Sequence, residues 1–460
     1  MTDESPDLEE REDAGYALDK ATVHAIHEAL LSDDDAALRA LIDPLHPADV
    51  ADLLEQVSGT ERRQLLTRWS GSMAGEILSE LDESLREEVI EYLEPGILAE
   101  AVRELDSDDV VDLVEDLEQD QQDLILDSLS DADRVAVELS LSYPEESAGR
   151  LMQREVVRVP EDWTVGETID FLRRETQLPE QFYHVILVDP RMRPTGYVTL
   201  GKLLGSPRAA PLSDIVEESF RTIPVSQPEE DVAYAFNQYH LISAPVVDED
   251  DRLVGVITID DAMAVLDEEA EEDLLRLAGV GDERVSDRTL KIARQRFPWL
   301  FVNLATAILA SLVISQFEAA LTQVVALAVL MPIVASMGGN AGTQSLTVAV
   351  RALATRDLTG SNAVRVLTRE AVAGLLNGAA FALIMGVIAI LWFDTPILGA
   401  VIAISMVVNL VVAALAGILV PLALEKVGID PALASGAFVT TVTDVVGFFV
   451  FLGLAVILML

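Results

Sequence analysis

TTVTDVVGF, residues 440–448, decides how this chain is read. Asp444 stands inside an apolar run, 432–460, that holds no other ionisable residue. A carboxylate at bilayer depth costs on the order of 3 kcal/mol even on permissive insertion scales, and such residues face a bundle interior or an aqueous path. One reading keeps the carboxyl protonated, or bonded to a neighbouring helix, with no further role. Thr440, Thr441 and Thr443 beside it, with no basic residue in the same run, favour a cation path.

Working outward, the apolar stretches after residue 298 are each long enough to cross a bilayer. Five spans are expected, at about 298–317, 321–349, 366–392, 396–424 and 432–459. Polar GGNAGTQ (338–344) interrupts the second and predicts a kink or a further helix. Gly338 and Gly339 permit close backbone approach, and with Asn340 and Asp444 they read as a pore lining whose carbonyls reach the ion. Glu370 opens the third span, either at the interface or at the inner mouth. All eight basic residues after position 290 fall on the side of the long N-terminal part, while Glu318 and Asp394 fall on the other. That asymmetry predicts a cytoplasmic N-terminus and an external C-terminus in the plasma membrane.

The charge is unevenly placed. Residues 1–290 hold 23 basic and 71 acidic side chains, a net of −48, whereas the remainder is nearly neutral. A polyanion of this kind does not bind nucleic acid, which needs basic surface; it suits cations, although acidity also serves solubility and adaptation to high salt. The absence of cysteine excludes disulfides, zinc–thiolate sites and thiol catalysis. No catalytic constellation is present, so an enzyme is not expected. The acidic start, MTDESPDLEEREDAG, is unlike a signal peptide and reads as a disordered tail over 1–17.

From 18 to about 147 the pattern is helix after helix. HPADVADLLEQV (46–57), MAGEILSELDES (73–84) and DSDDVVDLVEDL (106–117) repeat one motif: a capping or small residue, then apolar positions at i, i+3 and i+4. Such hairpins stack, each burying its face on the next. Asp108 and Asp112, at i and i+4, are expected to share a helix face, where two like charges call for a cation. YPEESAGRLM (143–152) breaks the helical pattern with Pro144 and Gly149.

The next stretch is built twice. HVILVD (184–189) precedes GYVTLGKLL (196–204), and APVVD (244–248) precedes GVITIDDAMAVL (255–266), each pair following a helix. This duplication resembles a tandem pair of CBS domains, placed at 148–208 and 209–266. Many CBS pairs hold an adenine nucleotide through a Thr or Ser and an Asp three residues later. Thr258 and Asp261 match in the second copy; in the first, Thr199 is followed by Lys202. The sequence thus leaves ATP binding open, since only Thr258 and Asp261 of the second copy carry the pattern. DEEAEEDLLRLAGVGDERVSD (267–287) then reads as an acidic connecting helix within 267–290, ahead of a membrane domain at 291–460.

Taken together, the fold class is a multidomain membrane protein: an all-α helical-repeat N domain, α/β tandem CBS domains and a five-helix all-α transmembrane domain. Along nearly its whole length the chain resembles MgtE-type magnesium transporters. YPEESAGRLM, MGGNAGTQS with RALATRDL, and DPALASGAFVTTVTDVVGF are the most specific stretches. The resemblance implies a homodimer with its pore along the subunit interface and Asp444 as the ion-selecting residue. It further implies that Mg2+ binds acidic cytosolic residues, closing the pore when internal Mg2+ is high. The matching positions are Glu76, Asp108, Asp109 and Asp112, then Glu230, Asp261, Glu269, Glu272 and Asp273. Two other readings stay open: a carrier or channel for another divalent ion such as Co2+, and a membrane-anchored CBS sensor that conducts nothing.

Overall fold

The computed structural model describes residues 18, 20–32, 34–69, 75–115, 117, 119–175, 178–179, 181–217, 220–280 and 289–460. The expected tail over 1–17 lies outside them. The chain forms two compact units, Met1–Asp267 and Glu268–Leu460, and the division falls inside one helix, Ile259–Leu277.

In the first unit, short helices run from Lys20–Leu31 to Asp131–Ser140. The sequence repeat reappears as a burial repeat. Helix Pro47–Gln56 buries Val50, Ala51, Leu53 and Leu54, and helix Ser107–Glu115 buries Val110, Val111, Leu113 and Val114. The middle copy forms the short helix Gly75–Ser79, burying Ile77 and Leu78; its first two residues lie outside the described ones. Caps set the starts: Asp34 accepts from the Ala37 amide at 3.0 Å, and Ser130 from the Asp133 amide at 3.3 Å.

A second repeated feature was not legible as such. Arg62 and Arg86, twenty-four residues apart, are both buried guanidiniums. Arg62 donates to the Leu54 carbonyl at 2.7 Å and pairs with Glu88 at 2.8 Å. Arg86 donates to the Leu81 carbonyl at 2.8 Å and pairs with Asp112 at 2.7 Å. In each case the acid lies 26 residues beyond its arginine. One clamp thus ties successive hairpins at equivalent places.

The duplicated stretch folds as two matching three-stranded sheets. The first is β1 (Arg158–Pro160), β2 (His184–Val188) and β3 (Pro194–Thr199); the second is β4 (Ile223–Pro224), β5 (Ser243–Val247) and β6 (Leu253–Thr258). Each has a parallel then an antiparallel pairing, with His184 opposite Thr199 and Ser243 opposite Thr258. Asp189 and Asp248 close the two hairpins alike, each accepting backbone amides at 2.8–2.9 Å. YPEESAGRLM forms the short helix Ala148–Leu151, whose Arg150 pairs with Glu115 of the helical part at 2.7 Å.

Among the described residues the second unit has five helices long and apolar enough to cross a membrane: Thr289–Ser315, Ala326–Ala354, Ala363–Phe393, Pro396–Lys426 and Gly436–Met459, the last within the helix Pro431–Met459. A short helix, Glu318–Gln323, sits between the first two, where the sequence reading had already begun the second span. The second span runs as one helix through GGNAGTQ, so no separate further helix begins there. Gly338 and Gly342 are tolerated because neighbouring helices pack onto them. The fourth span is the most enclosed and the first is hardly covered within this chain.

Candidate functional site

Three helices meet around the fourth span. Asn409, fully buried, donates from Nδ2 to the Val334 carbonyl of the second span at 2.9 Å. A Cβ at Gly338 would lie 2.3 Å from that nitrogen, and one at Gly447 of the fifth span 2.9 Å from it. One turn away, Gly342 faces Val439 and Thr443 of the fifth span. The second and fifth spans, which carry Asn340 and Asp444, are thereby packed on a common partner.

Asp444 is half-buried and makes no hydrogen bond or ion pair among the described residues. Asn340 is exposed, its amide 3.5 Å from the Ser336 hydroxyl. With Met337, Thr343, Gln344 and Thr347 it lines an open groove of about 410 Å³. Asn340, Thr343, Gln344 and Thr347 follow helical spacing, so the second span turns one polar face outward from a single copy of the chain. The carbonyls expected to reach an ion from 338–340 lie in the helical ladder instead, and that of Gly339 also accepts the Thr343 hydroxyl at 2.9 Å. Glu370 is mostly covered and accepts from the Ser345 hydroxyl at 3.2 Å, joining the third span to the second.

The cytosolic candidates separate into different roles. Asp108 and Asp109, in the first turn of helix Ser107–Glu115, face Asp261 in the first turn of helix Ile259–Leu277, with Asp106 and Asp260 nearby. Burial, reinforced by the charge of Asp261, pushes Asp109 up to about 7 and Asp108 well above the usual carboxylate range. Burial likewise raises Asp261 to about 6, against the Thr258 hydroxyl that donates to it at 2.6 Å. Asp112 pairs with Arg86 of the clamp, and its charge also adds to the upward push on Asp109. Of the two acids expected on one helix face, Asp112 is thus also engaged by a buried guanidinium. Glu76 and Glu230 are exposed on separate helices. Among the described residues no three acids or histidines form a closed metal cage.

In the second unit, Glu269, Glu272 and Asp273 lie on the last turns of the connecting helix. Glu272 pairs with Arg276, which also reaches Asp430 at 2.7 Å. Leu277 packs with Leu346, Val350, Ala432 and Val439 of the second and fifth spans. Arg276, Asp430 and Asn409 are not singled out by the sequence alone. A lone amide in the fourth span was the available signal for Asn409; Asp430, the distant partner of Arg276, lies 154 residues away and left none.

For nucleotide, Thr258 sits at the edge of a small cleft with Phe182, Tyr183, His184 and Ser243. Lys202, in the non-matching first copy, pairs with Glu217 at 3.0 Å.

Comparison with known proteins accounts for each region. The family model described as "MgtE intracellular N domain" matches residues 45–146, that for the CBS domain matches 148–207 and 212–268, and that described as "Divalent cation transporter" matches 331–454. The magnesium transporter MgtE of Enterococcus faecalis is 36% identical over 315 residues, 68% of this chain and 70% of that protein. Its namesake in Thermus thermophilus is 36% identical over 338 residues, 72% and 74% of the two chains. Among solved structures, the cytosolic domain of the Mg2+ channel MgtE in complex with ATP is 32% identical, with a TM-score of 0.49, covering 53% of this chain and 99% of that one. On the extent and identity of these sequence matches, the chain belongs to the MgtE family of magnesium transporters.

Proposed function

We propose that this chain passes Mg2+ across the plasma membrane, inward and down its gradient, and that internal Mg2+ closes the path. The observation that carries this reading is the polar face of the second span, Asn340, Thr343, Gln344 and Thr347, left uncovered in a single copy. In hydrocarbon such a face needs a protein partner or water. A homodimer supplies both: two polar faces and two Asp444 carboxylates converge on one aqueous path. Mg2+ gives up its water reluctantly and prefers octahedral oxygen ligation, so paired Asp444 side chains with Asn340 amides suit a largely hydrated ion. Glu370, held by Ser345, stands near the inner mouth. Eight basic residues on one side of the spans support a cytoplasmic N-terminus and external C-terminus.

Control resides in the acids. Asp108, Asp109 and Asp261 repel one another when the helical part docks on the second CBS domain, and a bound cation offsets that repulsion. Mg2+ therefore favours the docked state and shifts the population toward it. Glu76, Glu230, Glu269, Glu272 and Asp273 add to the local negative field. The domain limits given above, 18–147, 148–208, 209–266, 267–290 and 291–460, are the units in which this control is proposed to act. An adenine nucleotide at the CBS pair would meet Thr258 and Asp261 at its ribose and Tyr183 or His184 at its base.

Mg2+ flux in proteoliposomes, comparing wild type with Asp444→Ala across lumenal Mg2+ concentrations, tests the reading. Flux that needs Asp444 and stops as Mg2+ rises on the cytosolic face supports path and control together. No flux from folded protein would favour a sensor that conducts nothing, and preference for Co2+ would name another divalent cargo.

A further inference from the structure

We infer that Asn409 is the positioning residue of the ion path, fixing the second span against the fifth and so Asn340 relative to Asp444. The inference rests on the transport reading above and adds a residue to it.

The geometry is that of a wedge. Asn409 is fully buried in the middle of the fourth span. Its Nδ2 holds the Val334 carbonyl at 2.9 Å, the same carbonyl that the Gly338 amide takes in an α-helix. Glycines face it on both sides: a Cβ at Gly338 would stand 2.3 Å from Nδ2, and one at Gly447 2.9 Å from it. The amide and the two glycines therefore require one another. Gly338 precedes Asn340 by two residues, and Gly447 follows Asp444 by three, within one helical turn in each case. Sliding or rotating either helix on the wedge carries its polar residue with it.

Filling space does not explain an amide here. Asn409 Oδ1 is buried and has no hydrogen-bond partner. A half-satisfied amide in a bundle core is worse than an apolar side chain of similar volume. Leucine would fill the volume at less cost, yet it would release the Val334 carbonyl and the register it defines. What asparagine supplies is a directional hold on the turn before the GGN motif.

The test uses the full chain in proteoliposomes and reads the Mg2+ dependence of flux and the preference for Mg2+ over Ca2+. Asn409→Leu is expected to assemble and melt like wild type while its half-saturating Mg2+ rises about tenfold and its ion preference falls. Gly447→Ala should be impaired on its own, and Asn409→Ala combined with it should bring flux back to the level of Asn409→Ala alone. A structural filler would show no shift in half-saturation or in ion preference. Should Asn409→Leu fail to assemble, Asn409→Ser, which keeps a donor, is read by the same criterion and should lie closer to wild type than Asn409→Ala. Unchanged half-saturation and ion preference in Asn409→Leu, with wild-type flux still abolished by Asp444→Ala, would overturn this inference and leave the transport reading intact. No wild-type flux would sink both.

Discussion

Arg276 and Asp430 stand 2.7 Å apart, joining the last turn of the connecting helix to the cap of the helix that carries Asp444. Asp430 does double work: its other oxygen accepts the Ala432 amide at 2.8 Å. Both side chains are about one-third exposed, so the pair contributes at most about 1 kcal/mol. Arg276→Ala is therefore expected to raise the internal Mg2+ needed for closure by up to about fivefold. Flux measured against internal Mg2+ checks it. No change would leave the helix held by the packing of Leu277 alone.

Asp109 and Asp261 make the docking of the helical part on the second CBS domain sensitive to pH. Both carboxyls are raised, to about 7 and about 6, by burial first and by neighbouring acids second. The docked state thus binds more protons than the separated one between the ordinary carboxylate range and about pH 7. Its stability falls as pH rises through that window and levels off above it. Without divalent cations, protection of the 143–152 segment from protease should be greater at pH 5.5 than at pH 8. Saturating Mg2+ should remove most of the difference, and Asp109→Asn should flatten the profile. A protection that rises with pH would contradict the arrangement.

Asp109 and Asp112, three residues apart, should behave differently on neutralisation. Asp109→Ala is expected to raise the Mg2+ required for closure, since it removes a carboxylate the cation offsets. Asp112→Ala breaks a clamp, leaving the Arg86 guanidinium buried without its acid, and removing one partner of a buried pair costs roughly 3–5 kcal/mol, less here because Asp112 is half exposed. Its main effect should be a melting temperature lower by roughly 4 °C or more, with or without Mg2+. The reverse pattern would make Asp112, rather than Asp109, the carboxylate that the cation offsets.

The two arginine clamps give an internal control. Arg62→Met and Arg86→Met should destabilise the helical part to similar extents, because each frees a buried carbonyl and an acid at the equivalent step of the repeat. Thermal unfolding of the two variants compares them directly. A large difference would show that the two steps are not energetically equivalent.

Much of this architecture was legible because its signals are periodic. Leucine spacing marked the helical hairpins, the duplicated strand–turn–strand marked the two sheets, and apolar run length marked five spans. The pore candidates Asn340 and Asp444 were legible because polar residues in apolar runs are conspicuous. Long-range partners were not. Nothing local to DSDDVVDLVEDL shows that Asp112 turns to Arg86 while Asp108 and Asp109 turn to Asp261. The continuous second span is hard to read for a related reason: GGN weakens a helix in isolation, and the side chains packed against Gly338 and Gly342, Asn409 and Val439, lie far along the chain.

Asn409 also bears on how the membrane part is put together as it is synthesised. When the fourth span enters the bilayer, its amide faces lipid with no partner, while the Val334 carbonyl of the second span is already in place and the fifth span has not been made. The expected order is therefore second on fourth first, with the fifth span, and Asp444 with it, closing over Gly447 last. Crosslinking of arrested chains ending before residue 431 would reveal that pairing. A single side chain that spaces helices in the finished protein would then also schedule the arrival of Asp444.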